Sequence, residues 1–449
     1  TGYTIAIGYM ALSAYTHGEN AYNIAMGIQT AYLKTSGRYN TYIGGYKNAA
    51  ADLTGEKNVW IGSYANQYGT DTDSTTLVGY EAGRYATGSN NTFIGSEAGK
   101  GGTTSAPYSS GQNNTAVGNQ AMENFTTGFS NVAVGQNALF ADTTGQYNVA
   151  VGAGTLFANT TGQANIALGV DSLASSQATN NMISIGFQAM FASNHADAVG
   201  NVAIGYTALR NNVKGAGIVA IGDEAGRNAT GSYNTFVGFE AGTGGTTSAP
   251  FSSGEDSVAI GYQALTSFTT GKQNTAVGYQ AGHLISSGSY NTVMGYQAGY
   301  SLGGTFDNVM IGNYAGALSN TINNRNVYVG KATGRYLDTG IANVAIGYEA
   351  MESAGSGNDA SYNTAIGYHA LESITDADYN TAIGQAAGQN IEGGSGQNVF
   401  IGNSAGITSV TSAYNVVIGV SAGLAATDVD KTVLIGWNAG RNTTADGTI

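Results

Sequence analysis

Residues 274–282 read Asn-Thr-Ala-Val-Gly-Tyr-Gln-Ala-Gly, and variants of this segment recur from one end of the chain to the other. Alignment on the glycine, here Gly278, gives 25 anchors from Gly8 to Gly436. Of the 24 spacings between them, 14 are 17 residues and the rest lie between 16 and 23. Because no stretch is left over for another domain, we expect residues 1–449 to form one continuous repeat array.

The residues before each anchor predict a short strand. With the anchor as position 0, position −1 is aliphatic and position −3 is β-branched in all 25 repeats. Residues two apart share one side of a strand, and β-branched residues favour extended backbone. The anchor is predicted to be glycine because the turn requires a positive φ or a close approach of two backbones.

A second turn follows in many repeats, as in the Thr-Thr-Gly segments at 126–128 and 143–145. Two turns per repeat predict two short strands in each repeat, and one repeat is called a rung. The predicted fold is therefore all-β: a parallel β-solenoid, or β-roll, of about 25 rungs of about 17 residues. At ~4.8 Å per rung such an array would be an elongated rod of roughly 120 Å.

Asparagine occupies position −4 in 19 repeats, for example Asn131, Asn165 and Asn274. Stacked rungs would align these amides into a hydrogen-bonded ladder. Asparagine also favours turns that lead into strands. The sequence leaves both explanations open.

Position −2 points away from positions −1 and −3, yet it is also apolar in nearly every repeat. A strand that is apolar on both faces is normally buried on both faces. We expect positions −1 and −3 to fill the interior and position −2 to face a second copy of the chain, with three-fold closure preferred. The predicted interface residues are the large side chains at position −2: Tyr42, Trp60, Phe93, Phe236, Tyr328 and Phe400.

Two rungs carry six extra residues, in the closely similar segments 101–111 and 244–254. These insertions lie 143 residues apart, and the flanking anchors match at the same offset, so an eight-rung block has been duplicated. Insertions in solenoids form loops on one face, often the binding face. Tyr108 and Phe251 are therefore candidate receptor-binding residues, although an inert loop copied with its block is the simpler explanation.

Aromatic residues at position +1 form a second candidate surface. In register, Tyr262, Tyr279 and Tyr296 would make a stripe that stacks on sugars or a packing seam between rungs.

Composition argues against several classes of function. The net charge is −13 with only 15 Lys and Arg, which disfavours nucleic-acid binding. No apolar run is long enough to insert into a membrane, and there is no cysteine. The histidines are His17, His195, His283 and His369. They lie too far apart to share a metal or form a catalytic triad, so we expect no catalytic residues, metal or cofactor.

The segments 274–282 and 363–371 resemble the head repeats of trimeric autotransporter adhesins, and are still more similar to repeats of bacteriophage tail fibres that end in an intramolecular chaperone. The resemblance covers the whole chain and implies a homotrimeric parallel β-roll. Autotransporter heads use shorter rungs, so the usual spacing of 17 favours the phage group. No chaperone domain, stalk or membrane anchor is visible in the sequence.

The expected function is therefore structural: the shaft of a virion tail fibre that mediates or supports attachment to a glycan or protein receptor on the host cell. The alternative is an extracellular adhesin head on a bacterial surface. A glycan depolymerase is a further possibility, because some fibres cut glycans.

Overall fold

The computed structural model describes residues 3–16, 21–103, 105–245, 251–318, 324–353, 358–393, 396–427, 429–443 and 446–447. His17 and residues 246–250 of the second insertion lie outside them. The chain divides into two compact units, Thr1–Asp223 and Glu224–Ile449. Each unit is an array of the same rung, and the single continuous array stays a prediction.

The described residues contain 25 short strands, one before each anchor glycine. The strands of the first unit are β1 Ile5–Ile7, β2 Ile24–Ile28, β3 Thr41–Tyr46, β4 Val59–Ile61, β5 Thr76–Val78, β6 Thr92–Ile94, β7 Thr115–Val117, β8 Val132–Val134, β9 Val149–Val151, β10 Ile166–Leu168, β11 Ile183–Ile185, β12 Val202–Ile204 and β13 Val219–Ile221. Those of the second unit are β14 Thr235–Val237, β15 Val258–Ile260, β16 Thr275–Val277, β17 Thr292–Met294, β18 Val309–Ile311, β19 Val327–Val329, β20 Val344–Ile346, β21 Thr364–Ile366, β22 Thr381–Ile383, β23 Val399–Ile401, β24 Val416–Ile418 and β25 Val433–Ile435.

Within each unit, consecutive strands pair in parallel and in register. Val132 of β8 faces Val149 of β9, for example, and Ala276 of β16 faces Val293 of β17. Each residue therefore stacks on the residue at the same repeat position in the next rung. This arrangement confirms the predicted all-β parallel solenoid with a spacing of about 17 residues.

The prediction of two strands per rung is wrong in the described part of the chain. The side of the rung opposite the strand is built from turns, and its parallel pairing is limited to isolated bridges such as Phe129 with Gln146. Non-glycine residues with positive φ interrupt this side, including Ser130 and Tyr147. Such residues bend the backbone, so an extended segment cannot form there.

The anchor glycine meets both conditions that the sequence suggested. Gly278 has a φ of +135°, and a Cβ built on it would lie 2.4 Å from the carbonyl oxygen of Gly295 in the next rung. The same contact recurs at Gly118, where the carbonyl oxygen of Gly135 is 2.5 Å from the Cβ position. A side chain at the anchor would therefore push two rungs apart.

The predicted direction of the strand faces is inverted. Position −2 points into the interior of its own chain, whereas positions −1 and −3 point outward. The six large side chains expected at a subunit interface are each 0% exposed: Tyr42, Trp60, Phe93, Phe236, Tyr328 and Phe400. Because a single chain already buries them, they cannot contact a second copy, and their assignment to the interface is wrong.

The volume at position −2 is matched by the residue at position +4 of the same rung. Where position −2 is Phe93, position +4 is Gly99, and a Cβ there would lie 2.3 Å from the ring. Where position −2 is Ala116, position +4 is Met122, which is fully buried. In these two rungs the positions share one interior space, so a large residue at one is matched by a smaller residue at the other.

The asparagines at position −4 do form a ladder. Asn148 donates its backbone N–H to Oδ1 of Asn131 at 2.9 Å, and its own Oδ1 accepts from the backbone N–H of Asn165 at 3.1 Å. Its side-chain amide donates to the carbonyl oxygen of Gly162 at 2.8 Å. Each asparagine therefore connects neighbouring rungs and ties the strand to the second turn, and it leaves few buried polar groups unpaired.

The shared interior space predicts a compensating pair of substitutions. Phe93→Ala should lower the free energy of unfolding by about 3–5 kcal/mol because it leaves a cavity. Gly99→Met alone should also destabilise the chain, because the new side chain would occupy the space of the Phe93 ring.

The double variant Phe93→Ala/Gly99→Met reproduces the Ala116 and Met122 pair and should be more stable than either single variant. Met122 has a φ of 53°, so the backbone at this position accepts methionine. Urea denaturation of the four proteins measures the coupling. Purely additive losses would show that the two positions do not share a space.

Candidate functional site

The outward faces of the strands form a candidate site in each unit. We call positions −1 and −3 of all strands the outer strand face. At position −1 aliphatic side chains such as Ile61 and Ile260 are 37% and 40% exposed, and at position −3 most residues are half-buried. The face carries no charged residue in either unit. Within each unit it is therefore a column of aliphatic and threonine side chains that are partly exposed to water in the single chain.

The aromatic stripe at position +1 is a packing seam. The rings of Phe239, Tyr262, Tyr279 and Tyr296 stack in series, with centroid distances of 5.4, 5.0 and 5.0 Å. Each inner ring uses both faces on its neighbours, so sugars could reach only the edges and hydroxyl groups.

Beside the stripe, Gln263, Gln280 and Gln297 at position +2 form an amide ladder, with hydrogen bonds of 2.8 and 2.7 Å. The edge of this surface is therefore polar along its length.

The structure places Tyr108 of the first insertion against its own unit. Its ring centroid lies 5.7 Å from that of Tyr68 and 6.0 Å from that of Tyr85, and Arg84 lies over both of those rings. Phe251 of the second insertion is also half-buried. These residues are not brought near Tyr262, Tyr279 or Tyr296 by any contact in the described residues, and their receptor role stays a prediction.

The first unit has aromatic residues at position +5 of several neighbouring rungs. A surface groove lies where an alanine interrupts this column. Phe140 and Phe157 stack at 5.0 Å, Ala174 occupies the next rung, and Phe191 the one after. Asp171 adds a carboxylate to the lining. A mixture of aromatic and polar groups is the usual lining of a small-molecule site.

Two clusters of charged residues use positions +2 and +5 of neighbouring rungs. In the first unit the Lys100 ammonium lies 3.1 Å from Glu81, 3.5 Å from Glu97 and 3.6 Å from Glu123. Attraction to these carboxylates raises the pKa of Lys100 despite its partial burial. The cluster is a compact ion network in which Lys100 contacts three carboxylates and Arg84 also pairs with Glu81, at 2.7 Å.

In the second unit, His369 lies between two carboxylates. Its Nε2 is 3.4 Å from Oε2 of Glu349, and its Nδ1 is 2.5 Å from Oε2 of Glu372. A comparison of the histidines only with one another does not reveal this cluster. The signal was present, because Glu349 and His369 both stand two residues after an anchor, in consecutive rungs.

The chain matches no protein-family model and no curated protein. Among the described residues, no helix is long and apolar enough to cross a bilayer.

One buried carboxyl makes the stability of the first unit depend on pH. Burial raises the pKa of Asp142 from 3.8 to about 7, although hydrogen bonds from the Gly145 N–H and the Asn159 amide oppose the rise. The folded chain therefore binds more protons than the unfolded chain between pH 3.8 and about 7. The contribution of this group is fully present below pH 3.8 and is lost as the pH rises through about 7.

We expect Asp142→Asn to have little effect on stability at pH 4 and to raise the free energy of unfolding at pH 8.5 by a few kcal/mol. Asparagine suits the site, because Asn159 occupies the same position one rung later. Denaturation at both pH values tests this, with the exposed Asp223→Asn as the control. An equal effect at the two pH values would contradict a charged, desolvated Asp142.

Proposed function

We propose that this chain is a structural fibre protein, not an enzyme: the elongated, homotrimeric shaft of a phage tail fibre that supports attachment to the host cell surface. The proposal combines the resemblance of the repeats to tail-fibre and adhesin-head repeats with one observation. The outer strand face is apolar, continuous within each unit and exposed in the single chain.

The size of this face supports self-association. In the second unit alone it includes twelve aliphatic residues at position −1, listed from the first strand to the last: Val237, Ile260, Val277, Met294, Ile311, Val329, Ile346, Ile366, Ile383, Ile401, Ile418 and Ile435. Monomeric proteins seldom expose a contiguous apolar patch of more than a few hundred Å². A surface of this length therefore calls for a partner of comparable length.

A second copy of the chain is the partner that best fits. The rungs repeat at the same spacing in every copy, so parallel copies would present matching columns along their whole length. Cyclic assembly around a shared axis would bury all of the faces equally, and closed symmetry prevents open-ended growth. Three copies are proposed because the repeats resemble those of trimeric adhesin heads and tail fibres.

The surfaces away from the outer strand face would then meet the host. They include the tyrosine and glutamine columns, the two insertions and the groove beside Phe157. Because each contact recurs along the shaft and in each copy, weak individual interactions would add through multivalency. Rung-by-rung stacking would supply stiffness, since every rung adds the same backbone pairing and interior layer.

The proposed shaft is tested by the shape and the mass of the purified assembly. Electron microscopy of the purified chain should show uniform rods, and mass measurement in solution should give three copies of the 45.5 kDa chain. A compact particle with the mass of one copy would overturn the proposal.

The interface is tested by charges placed on the outer strand face. Ile366→Glu combined with Ile383→Glu should dissociate the assembly, because an unpaired buried charge costs several kcal/mol. Both side chains point outward in the single chain, with exposures of 37% and 38%, so the monomer should remain folded.

Sedimentation velocity measures the outcome. Gln385→Glu is the matched control, because this exposed residue lies in the same rung as Ile383 but off the outer strand face. An assembly that survives the paired isoleucine substitutions, or one that dissociates with the control, would contradict an interface on this face.

A further inference from the structure

We propose that Glu349 and His369, with Glu372 orienting the imidazole, form a binding site for a divalent transition-metal ion of the zinc type. One ligand atom from each of the three residues lies within 4.8 Å of the other two. The side chains are 20%, 14% and 26% exposed, so the cluster is mostly shielded but reachable from solvent.

The register of the solenoid builds the cluster. Glu349 and His369 occupy position +2 of consecutive rungs, where other rungs carry the glutamine ladder, and Glu372 occupies position +5 beside His369. The Tyr368 ring, whose centroid is 3.9 Å from that of the imidazole, and the more distant Tyr348 ring pack against His369. The imidazole is therefore held in place by its neighbours.

Both sides of the His369 imidazole face carboxylates, so a cation bound at Nε2 would lie between the ring and Glu349. Neutral histidine has one N–H and one lone pair, yet both ring nitrogens of His369 face carboxylate oxygens. The buried Nδ1 lies 2.5 Å from Oε2 of Glu372. With one ring nitrogen protonated, the other points a lone pair at an anion, which is repulsive.

In the Lys100 cluster, the carboxylates at the same repeat positions contact a permanently charged cation. There an ammonium group contacts the three surrounding carboxylates. Within the described part of the chain, by contrast, no Lys or Arg forms an ion pair with Glu349 or Glu372, and the nearby Arg335 pairs with Glu352. The histidine cluster therefore has the anions of the lysine cluster without its permanent cation.

The distances match a metal ion bound between Nε2 and Glu349. Two ligands that are each ~2.0–2.1 Å from a tetrahedral ion lie about 3.4 Å apart, which is the separation observed. Imidazole and carboxylate ligands suit zinc and its neighbours in the first transition row.

Glu372 is too close to Nδ1 for both atoms to bind the same ion. Instead it would accept the Nδ1 proton and orient the ring, an arrangement common around metal-bound histidines. Gln389 donates to the same carboxylate oxygen at 2.5 Å and holds it in place. Water would complete the coordination on the solvent side.

The experiment is calorimetric titration of the metal-free full chain with Zn²⁺, together with the visible absorption of Co²⁺ bound in its place. We expect one zinc ion per chain and a cobalt spectrum typical of low coordination number with nitrogen and oxygen ligands. His369→Asn and Glu349→Gln should each abolish this binding. Glu372→Gln should weaken it about 10–100-fold, as expected for a residue that orients a ligand.

The control is His283→Asn, because His283 stacks on Tyr300 away from the cluster. Circular dichroism checks that each variant is folded, and the mild Glu349→Gln change provides a second test if His369→Asn unfolds. The proposal is overturned if the chain binds no zinc, or if His369→Asn and Glu349→Gln bind it as the parent does.

Discussion

The interior of a rung has a fixed cross-section, and the rest of the structure depends on it. The anchor glycine sets the distance between rungs, because the next carbonyl oxygen lies where a Cβ would stand. In-register stacking then places each repeat position above itself, so one rung cannot widen without disturbing its neighbours. In several rungs a large residue at one of positions −2 and +4 is therefore matched by a smaller residue at the other, as in Phe93 with Gly99 and Ala116 with Met122.

The buried asparagine ladder gives this apolar interior a specific register. Asn131, Asn148 and Asn165 each accept from the backbone of the following rung and donate to a turn carbonyl. A shift of one strand by a residue would break these bonds and bury unpaired amides, which is costly. The ladder therefore contributes to choosing one register as well as to stability.

The sequence was sufficient to predict the strands, the anchors and the parallel solenoid, because each depends on a feature repeated 25 times. It was misleading about the direction of the faces. Alanine at position −2 fits a crowded interior and an exposed surface equally well, and aliphatic residues such as those at position −1 are typical of a core. The size match between Phe93 and Gly99 indicates that position −2 faces the interior, since only residues that share an enclosed space need to compensate in volume.

The other differences between the sequence-based predictions and the structure have local causes. The second strand does not form because residues such as Ser130 adopt positive φ, which side-chain patterns alone do not reveal. The cluster at His369 depends on contact between consecutive rungs, so it emerges only when residues at one repeat position are compared along the stack. The premise that the strands are apolar on both faces remains correct, and the water-facing side is the one made of positions −1 and −3.

The claim that position −2 faces the interior of a single chain is tested most directly by the fluorescence of Trp60. This side chain is 0% exposed and donates its indole N–H to Thr75 at 2.6 Å, whereas the other tryptophan, Trp437, is 78% exposed and can be replaced by phenylalanine. Acrylamide quenching of the Trp437→Phe chain should be equally weak in the assembled state and after dilution to single copies. Strong quenching of Trp60 on dissociation would place position −2 at the contact between copies and contradict the account.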